Sequence, residues 1–106
     1  MSIFNIFARK DINEGVRSFR ESKNAILLDV RTRNEYASGH IEGSHNIPLD
    51  EIDKVDSVIK DKNVSLYVHC LSGGRSARAV AYLRGKGYKD VHDIGGIGSY
   101  RGRLVI

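Results

Sequence analysis

The stretch Val64-Ser65-Leu66-Tyr67-Val68-His69-Cys70-Leu71-Ser72-Gly73-Gly74-Arg75-Ser76 changes character twice within thirteen residues. Residues 64–69 are rich in β-branched and aromatic side chains and read as a strand. Cys70 through Gly74 break that pattern, because two adjacent glycines favour a turn. Residues 75–86 then read as a helix, with Val80 and Leu83 on its inner face and alanines that allow close packing. Gly85 and Gly87 supply its end. A strand that passes through a glycine turn into a helix is half of a βαβ unit.

The flanking sequence repeats this alternation. Residues 11–22 place Ile12, Val16 and Phe19 at helical spacing, and Asp11 with Glu14 forms an aspartate variant of a capping box. Residues 25–30 are almost continuously apolar, as expected of a strand covered on both faces. Thr32-Arg33-Asn34-Glu35 is a T-x-x-E capping box that opens a short helix ending at Gly39. Residues 40–48 lack periodicity and finish in the only proline, so they read as a long connection. Ile52, Val55 and Ile59 form one helical stripe within residues 49–59. Residues 91–94 are a short strand, followed by Gly95-Gly96 and a last helix or turn through Tyr100. The expectation is an α/β fold in one domain over residues 1–106, with a central, mostly parallel sheet of about five strands and helices on both faces.

At 106 residues with 41% hydrophobic and 28% charged side chains, the chain suits one globular core and not a disordered, collagenous or coiled-coil protein. Its single cysteine excludes an intrachain disulfide and any cysteine-based zinc or iron–sulfur cluster within one chain. No segment approaches the roughly 20 apolar residues of a membrane span. The apolar run of residues 3–8 is followed, not preceded, by basic residues, which is the wrong order for a signal peptide. A cytoplasmic location and no membrane association are therefore expected. Charge is uneven, with a net −1 over residues 1–69 and +5 over residues 70–106. A basic C-terminal third is either a solvated face or one that attracts a small anionic substrate or an acidic protein partner. Nucleic acid is not expected, since basic residues interleaved with aromatics and recognisable reading motifs are both missing. The chain is expected to be a monomer or a weak dimer.

Ligands of open α/β sheets bind at the carboxyl ends of strands, and Cys70 sits at such an end. Backbone N–H groups around Gly73 and Gly74 can turn inward as an anion-holding nest, and the following helix points its positive end at the same place. A free thiol has a pKa of about 8.5. Lowering it by about two units requires ~2.7 kcal/mol of preference for the thiolate. A helix terminus contributes at most ~2 kcal/mol, so loop N–H groups or the Arg75 guanidinium must supply the rest. His69 neighbours Cys70 in an extended strand and should face the other way, which favours a structural role over that of a base.

Cys70-Leu71-Ser72-Gly73-Gly74-Arg75-Ser76 resembles the active-site loop of the rhodanese-like sulfurtransferase family. Three further segments agree in type and order: Leu28-Asp29-Val30-Arg31 with Glu35-Tyr36, then Gly39-His40-Ile41-Glu42-Gly43-Ser44-His45-Asn46-Ile47-Pro48, then Gly95-Gly96. Together they span residues 11–100. The resemblance implies a rhodanese-like fold and a cofactor-free enzyme. Cys70 would accept a sulfane sulfur from a small anionic donor, thiosulfate or a persulfide, and pass it from a Cys70 persulfide to a thiol or cyanide acceptor. It also implies that N–H groups of Ser72, Gly73, Gly74 and Arg75 hold the sulfur anion. Arg75 then steers the donor or steadies the loop, and Ser76 caps the helix or bonds within the loop. Arg78 and Arg101 are further cations that could face the site. The family often carries a tryptophan after the glycine pair, where this chain offers Tyr100.

Only four residues separate Cys70 from Arg75. The related phosphatase loops have five, sized for a phosphate, so a phosphatase or arsenate reductase ranks below sulfur transfer. A non-catalytic or regulatory binding module, docking through Arg84, Lys86 and Lys89, is the alternative from another class. Asp29 and Arg31 are expected to brace neighbouring loops and not to face the substrate, with Glu35 a candidate partner for Arg31. His40 and His45 are expected to fix their loop by hydrogen bonds and not to bind metal; His92 gets no functional reading.

Overall fold

A computed structural model describes residues 10–106; the apolar run of residues 3–8 lies outside them. Strands β1 (Ala25–Asp29), β3 (Ser44–Asn46), β4 (Ser65–Cys70) and β5 (Asp90–Gly96) form one sheet in the order β3-β1-β4-β5, with every neighbouring pair parallel. Among the described residues this sheet has four strands, against the five or so expected of the whole chain. Strands β2 (His40–Ile41) and β6 (Leu104–Val105) form a separate antiparallel ladder.

Alternation along the strands sends consecutive side chains to opposite faces, and each face has its own core. Leu28, Leu66, Val68 and Cys70 pack against Ala79, Val80 and Leu83 of helix α4 (Gly74–Gly85). Ile52, Val55 and Ile59 complete that layer. Leu27, Tyr67 and Ile94 pack on the other face against Ile12 and Val16 of helix α1 (Ile12–Glu21). Both faces are therefore covered, which is why β1 reads as a continuous apolar run. Burying a Leu or Val side chain contributes roughly 1.5–3 kcal/mol, so these two layers are the main source of stability.

Three local expectations need correction. Asp11 caps α1 by accepting the Asn13 N–H at 2.9 Å, but Glu14 does not reach back to close a box. Its carboxylate would approach the Asp11 carboxylate there, and it pairs instead with Arg17, one turn on. Residues 40–48 are not all connection, since they supply β2 and β3. The stripe over residues 49–59 divides into a 3-10 helix (Leu49–Lys54) and a single turn, α3 (Val55–Val58). The capping box of helix α2 (Arg33–Ser38) does form, Thr32 and Glu35 each satisfying the other's backbone N–H.

Among the described residues, no helix is long and apolar enough to cross a membrane. Tyr100 packs against the α1-side core, in the region where the family often has tryptophan.

Candidate active site

Cys70 ends β4, on the face that packs against α4, and α4 begins four residues later. The turn between them is made by Gly73, whose φ of +107° lies in the left-handed region that favours glycine. This conformation turns the Gly73 N–H onto Cys70 Sγ at 2.9 Å. Ser76 Oγ lies 3.6 Å from the same sulfur. Burial pushes the thiol pKa up, but the Ser76 hydroxyl and the backbone N–H groups of Ser76, Gly73 and Ser72 outweigh it. The net direction is below the ordinary thiol value. Cys70 is only 1% exposed, so its sulfur lies beneath the loop.

The second glycine pair explains how the loop is held. A Cβ on Gly96 would lie 2.3 Å from the Leu71 carbonyl oxygen and 2.7 Å from Ser72 Cα, so only glycine lets β5 come this close. The Gly98 N–H then donates to the Leu71 carbonyl at 3.0 Å. Between Val68 and His69, β5 shifts register, so that His69 faces Gly95 and Cys70 faces Gly96. That bulge aligns the glycine pair with the end of β4.

Arg75 is held by Glu35. Its guanidinium donates to both Glu35 oxygens, at 2.6 and 3.0 Å, and joins the first turns of α4 and α2. The guanidinium, together with Thr32 of the capping box, holds the Glu35 carboxyl down at about 2. Glu35 is therefore not the partner of Arg31. Arg31 turns inward, with Nε 3.0 Å from both Asp29 oxygens and Nη2 2.7 Å from Oδ2, and reaches the Gly39 carbonyl at 2.8 Å. Glu35, on the exposed first turn of α2, faces α4 instead.

Asp29 and Arg31 are buried and form a brace beside the site. Asn46 strengthens it, its amide donating to the backbone carbonyls of Asp29 and Arg31 at 2.9 Å each. His69 is fully buried, and its Nδ1 lies 3.3 Å from the Cys70 carbonyl oxygen, not against the thiol. Burial drives its pKa down, against the nearby Asp29 charge, which favours the neutral ring. His40 stacks on Tyr36 with centroids 3.8 Å apart, and its Nδ1 lies 2.9 Å from the Tyr36 carbonyl oxygen. His45 is exposed, and no group of three or more His, Cys, Asp or Glu side chains gathers as a metal site among the described residues.

A groove of about 490 Å³ is lined by Val30, Leu49, Tyr82, Arg75 and Arg78 together with the acidic Asp50. Arg78 thus stands near the site, whereas Arg101 lies elsewhere, its backbone N–H donating to Asn13 Oδ1 at 2.8 Å. Of the basic residues that the binding-module alternative needs, Arg84 donates to the Val91 carbonyl at 2.8 Å and Lys86 pairs with Asp56 at 3.1 Å.

Sequence reasoning missed Asp93. Its Oδ1 lies 2.9 Å from Ser76 Oγ and accepts the Gly95 N–H at 3.1 Å. The available signal was an acid inside a short strand, two residues before the glycine pair.

A parallel sheet carrying a cysteine loop of this form at a strand's carboxyl end defines a class, and the comparisons agree with it. The Rhodanese-like domain model matches residues 13–102, and the chain belongs to that family. Thiosulfate sulfurtransferase PspE of Escherichia coli is 35% identical over 71 residues, covering 66% of this chain and 68% of that protein. The tRNA uridine(34) hydroxylase of Buchnera aphidicola is 33% identical over 97 residues, covering 86% of this chain. This chain spans only 30% of that hydroxylase's length. Among solved structures, a rhodanese with anions from E. coli superposes with a TM-score of 0.70 at 32% identity, over 76% of this chain and 96% of that one.

Proposed function

We propose that the protein is a sulfurtransferase in which Cys70 carries a sulfane sulfur from thiosulfate or a persulfide to a thiol or cyanide. The observation that carries this reading is the Gly73 N–H directed at Cys70 Sγ at 2.9 Å inside a four-residue loop. Backbone donors stabilise a thiolate and, after transfer, the anionic outer sulfur of a persulfide, so no cofactor is needed. The Cys70 thiolate attacks the outer sulfur of the donor and a new S–S bond forms. The donor's own S–S bond breaks, and sulfite or a thiol leaves with its electron pair. The acceptor then attacks the outer sulfur of Cys70–S–S⁻, and the Cys70 thiolate leaves with the electron pair of the second S–S bond. No net redox partner is consumed.

With Cys70 1% exposed, the donor reaches the sulfur only when the loop yields. The Glu35 carboxylate balances the Arg75 charge. Arg75 therefore steadies the loop, and Arg78 is the guanidinium in the groove available to attract an anionic donor. A carrier thiol that must stay reduced between turnovers suits a reducing compartment such as the cytoplasm.

Thiocyanate formation from thiosulfate or a persulfide and cyanide tests the proposal. Wild type should turn over and Cys70→Ser should not. Cys70-dependent hydrolysis of an aryl phosphate without thiocyanate formation would replace sulfur transfer by phosphatase chemistry. Biological activity that survives Cys70→Ala, with no turnover of either substrate, would favour the binding module.

A further inference from the structure

Ser76 is fully buried, and its hydroxyl oxygen has three neighbours: the Gly73 carbonyl at 3.0 Å, Asp93 Oδ1 at 2.9 Å and Cys70 Sγ at 3.6 Å. A hydroxyl has one proton to donate. Neither the carbonyl nor a carboxylate has a proton to offer in return. While Cys70 is a thiol, its S–H donates to Ser76 Oγ and the Ser76 proton goes to an oxygen. Once Cys70 is a thiolate, the sulfur needs that same proton, and the Asp93 carboxylate competes for it.

We propose that Asp93 is a positioning residue that shares the Ser76 hydroxyl with Cys70 and takes up the thiol's proton as the sulfur becomes a nucleophile. This rests on the sulfur-transfer reading of Cys70. The S–H bond breaks as a new H–Oγ bond forms on Ser76. The original Oγ–H bond breaks as its proton moves to Asp93 Oδ1. Asp93 then releases the proton to water. The exit is present: Asp93, with its side chain 8% exposed, lines a cleft of about 400 Å³ with Lys10, Ala77, Val80, Arg84 and His92. That cleft is separate from the groove beside Arg75 and Arg78, so the proton leaves by a route the donor does not occupy.

The charged and titratable surroundings fall into two groups. Lys10 pairs with Asp93 Oδ2 at 3.4 Å, with Arg84 and His92 also on the cleft wall. Arg75, neutralised by Glu35, stands beside the Cys70 loop, and the buried His69–Asp29–Arg31 cluster lies across the sheet from the Cys70 thiol. Asp93 and Cys70 both contact the one Ser76 hydroxyl, so a change at Asp93 is read at the sulfur.

The test is the pH dependence of alkylation at Cys70, which reports on a single thiol in a chain with one cysteine. Asp93→Asn keeps the side-chain shape and removes the competing charge. Its Cys70 midpoint should fall by about one pH unit. Ser76→Ala should raise the midpoint, and in that background Asp93→Asn should produce a smaller shift, because the shared hydroxyl is gone. An unmoved midpoint in Asp93→Asn, or a shift equally large with and without Ser76, overturns the proposal. Should Asp93→Asn fail to fold, Lys10→Met decides. Removing that exposed cation should raise the midpoint, and no change counts against the role of Asp93. The titration needs no sulfur donor, so it stands apart from any failure of sulfur transfer.

Discussion

Arg31 and Arg75 both clasp a carboxylate at the carboxyl edge of the sheet, Arg31 at 5% exposure and Arg75 with 31% of its side chain in solvent. The inner pair, with Asp29, lies within one strand end and is tied by Asn46 and the Gly39 carbonyl. The outer pair, with Glu35, joins two helices across a sequence separation of 40 residues. Burial makes the inner pair a fixed part of the core, costly to break from either side. Exposure makes the outer pair a weak fastener on the loop that holds the sulfur. Rigidity and adjustability thus stand side by side, with Cys70 near both.

Asp29→Asn should show the largest effect, leaving a buried guanidinium without its counter-charge. A loss of about 3–5 kcal/mol is expected in denaturant unfolding. A loss below ~1 kcal/mol would remove the distinction between the two pairs. Gly96→Ala probes what holds the loop from the opposite side. Its Cβ would meet the Leu71 carbonyl, so a loss of about 1–3 kcal/mol is expected. The displaced loop should also slow sulfur transfer by about 10²-fold. Wild-type turnover in that variant would dissociate the glycine pair from the site.

Arg75→Ala should cost no more than ~1 kcal/mol in stability. Its turnover should fall by the same factor with dianionic thiosulfate and with a persulfide, which carries less charge, as expected of a loop brace. A selective loss with thiosulfate would make Arg75 a donor-binding residue instead.

Glu35→Gln gives the smallest effect, visible in the pH dependence of stability. The folded-state pKa of Glu35, about 2, is below its ordinary value of about 4.5. Its contribution is therefore present above pH ~4.5 and lost as pH falls toward ~2. Wild type should lose stability over that window faster than Glu35→Gln. Parallel curves would mean that the outer pair contributes nothing.

What the sequence revealed follows from the range of the interactions. Strands β1 and β4, helix α4, the Thr32–Glu35 capping box and the Cys70 loop depend on local pattern and were legible. Strand β3 has three residues and forms only because β1 offers a parallel edge beside it, so no periodicity announced it. The buried role of Asp29 and Arg31 could be read, but not which carboxylate each arginine takes. Glu35 lies four residues from Arg31 along the chain yet bonds to Arg75, because packing of α2 beside α4 decides the matter. Asp93 escaped notice for the same reason, since it meets Ser76 only through the pairing of β5 with β4.

Intact mass spectrometry tests most directly whether Cys70 carries sulfur. Wild type incubated with thiosulfate or a persulfide should gain the mass of one sulfur atom, lose it on addition of cyanide, and release one equivalent of thiocyanate. Cys70→Ser should gain nothing. A wild-type chain that takes up no sulfur from either donor, or a Cys70→Ser chain that takes up as much, would contradict the account.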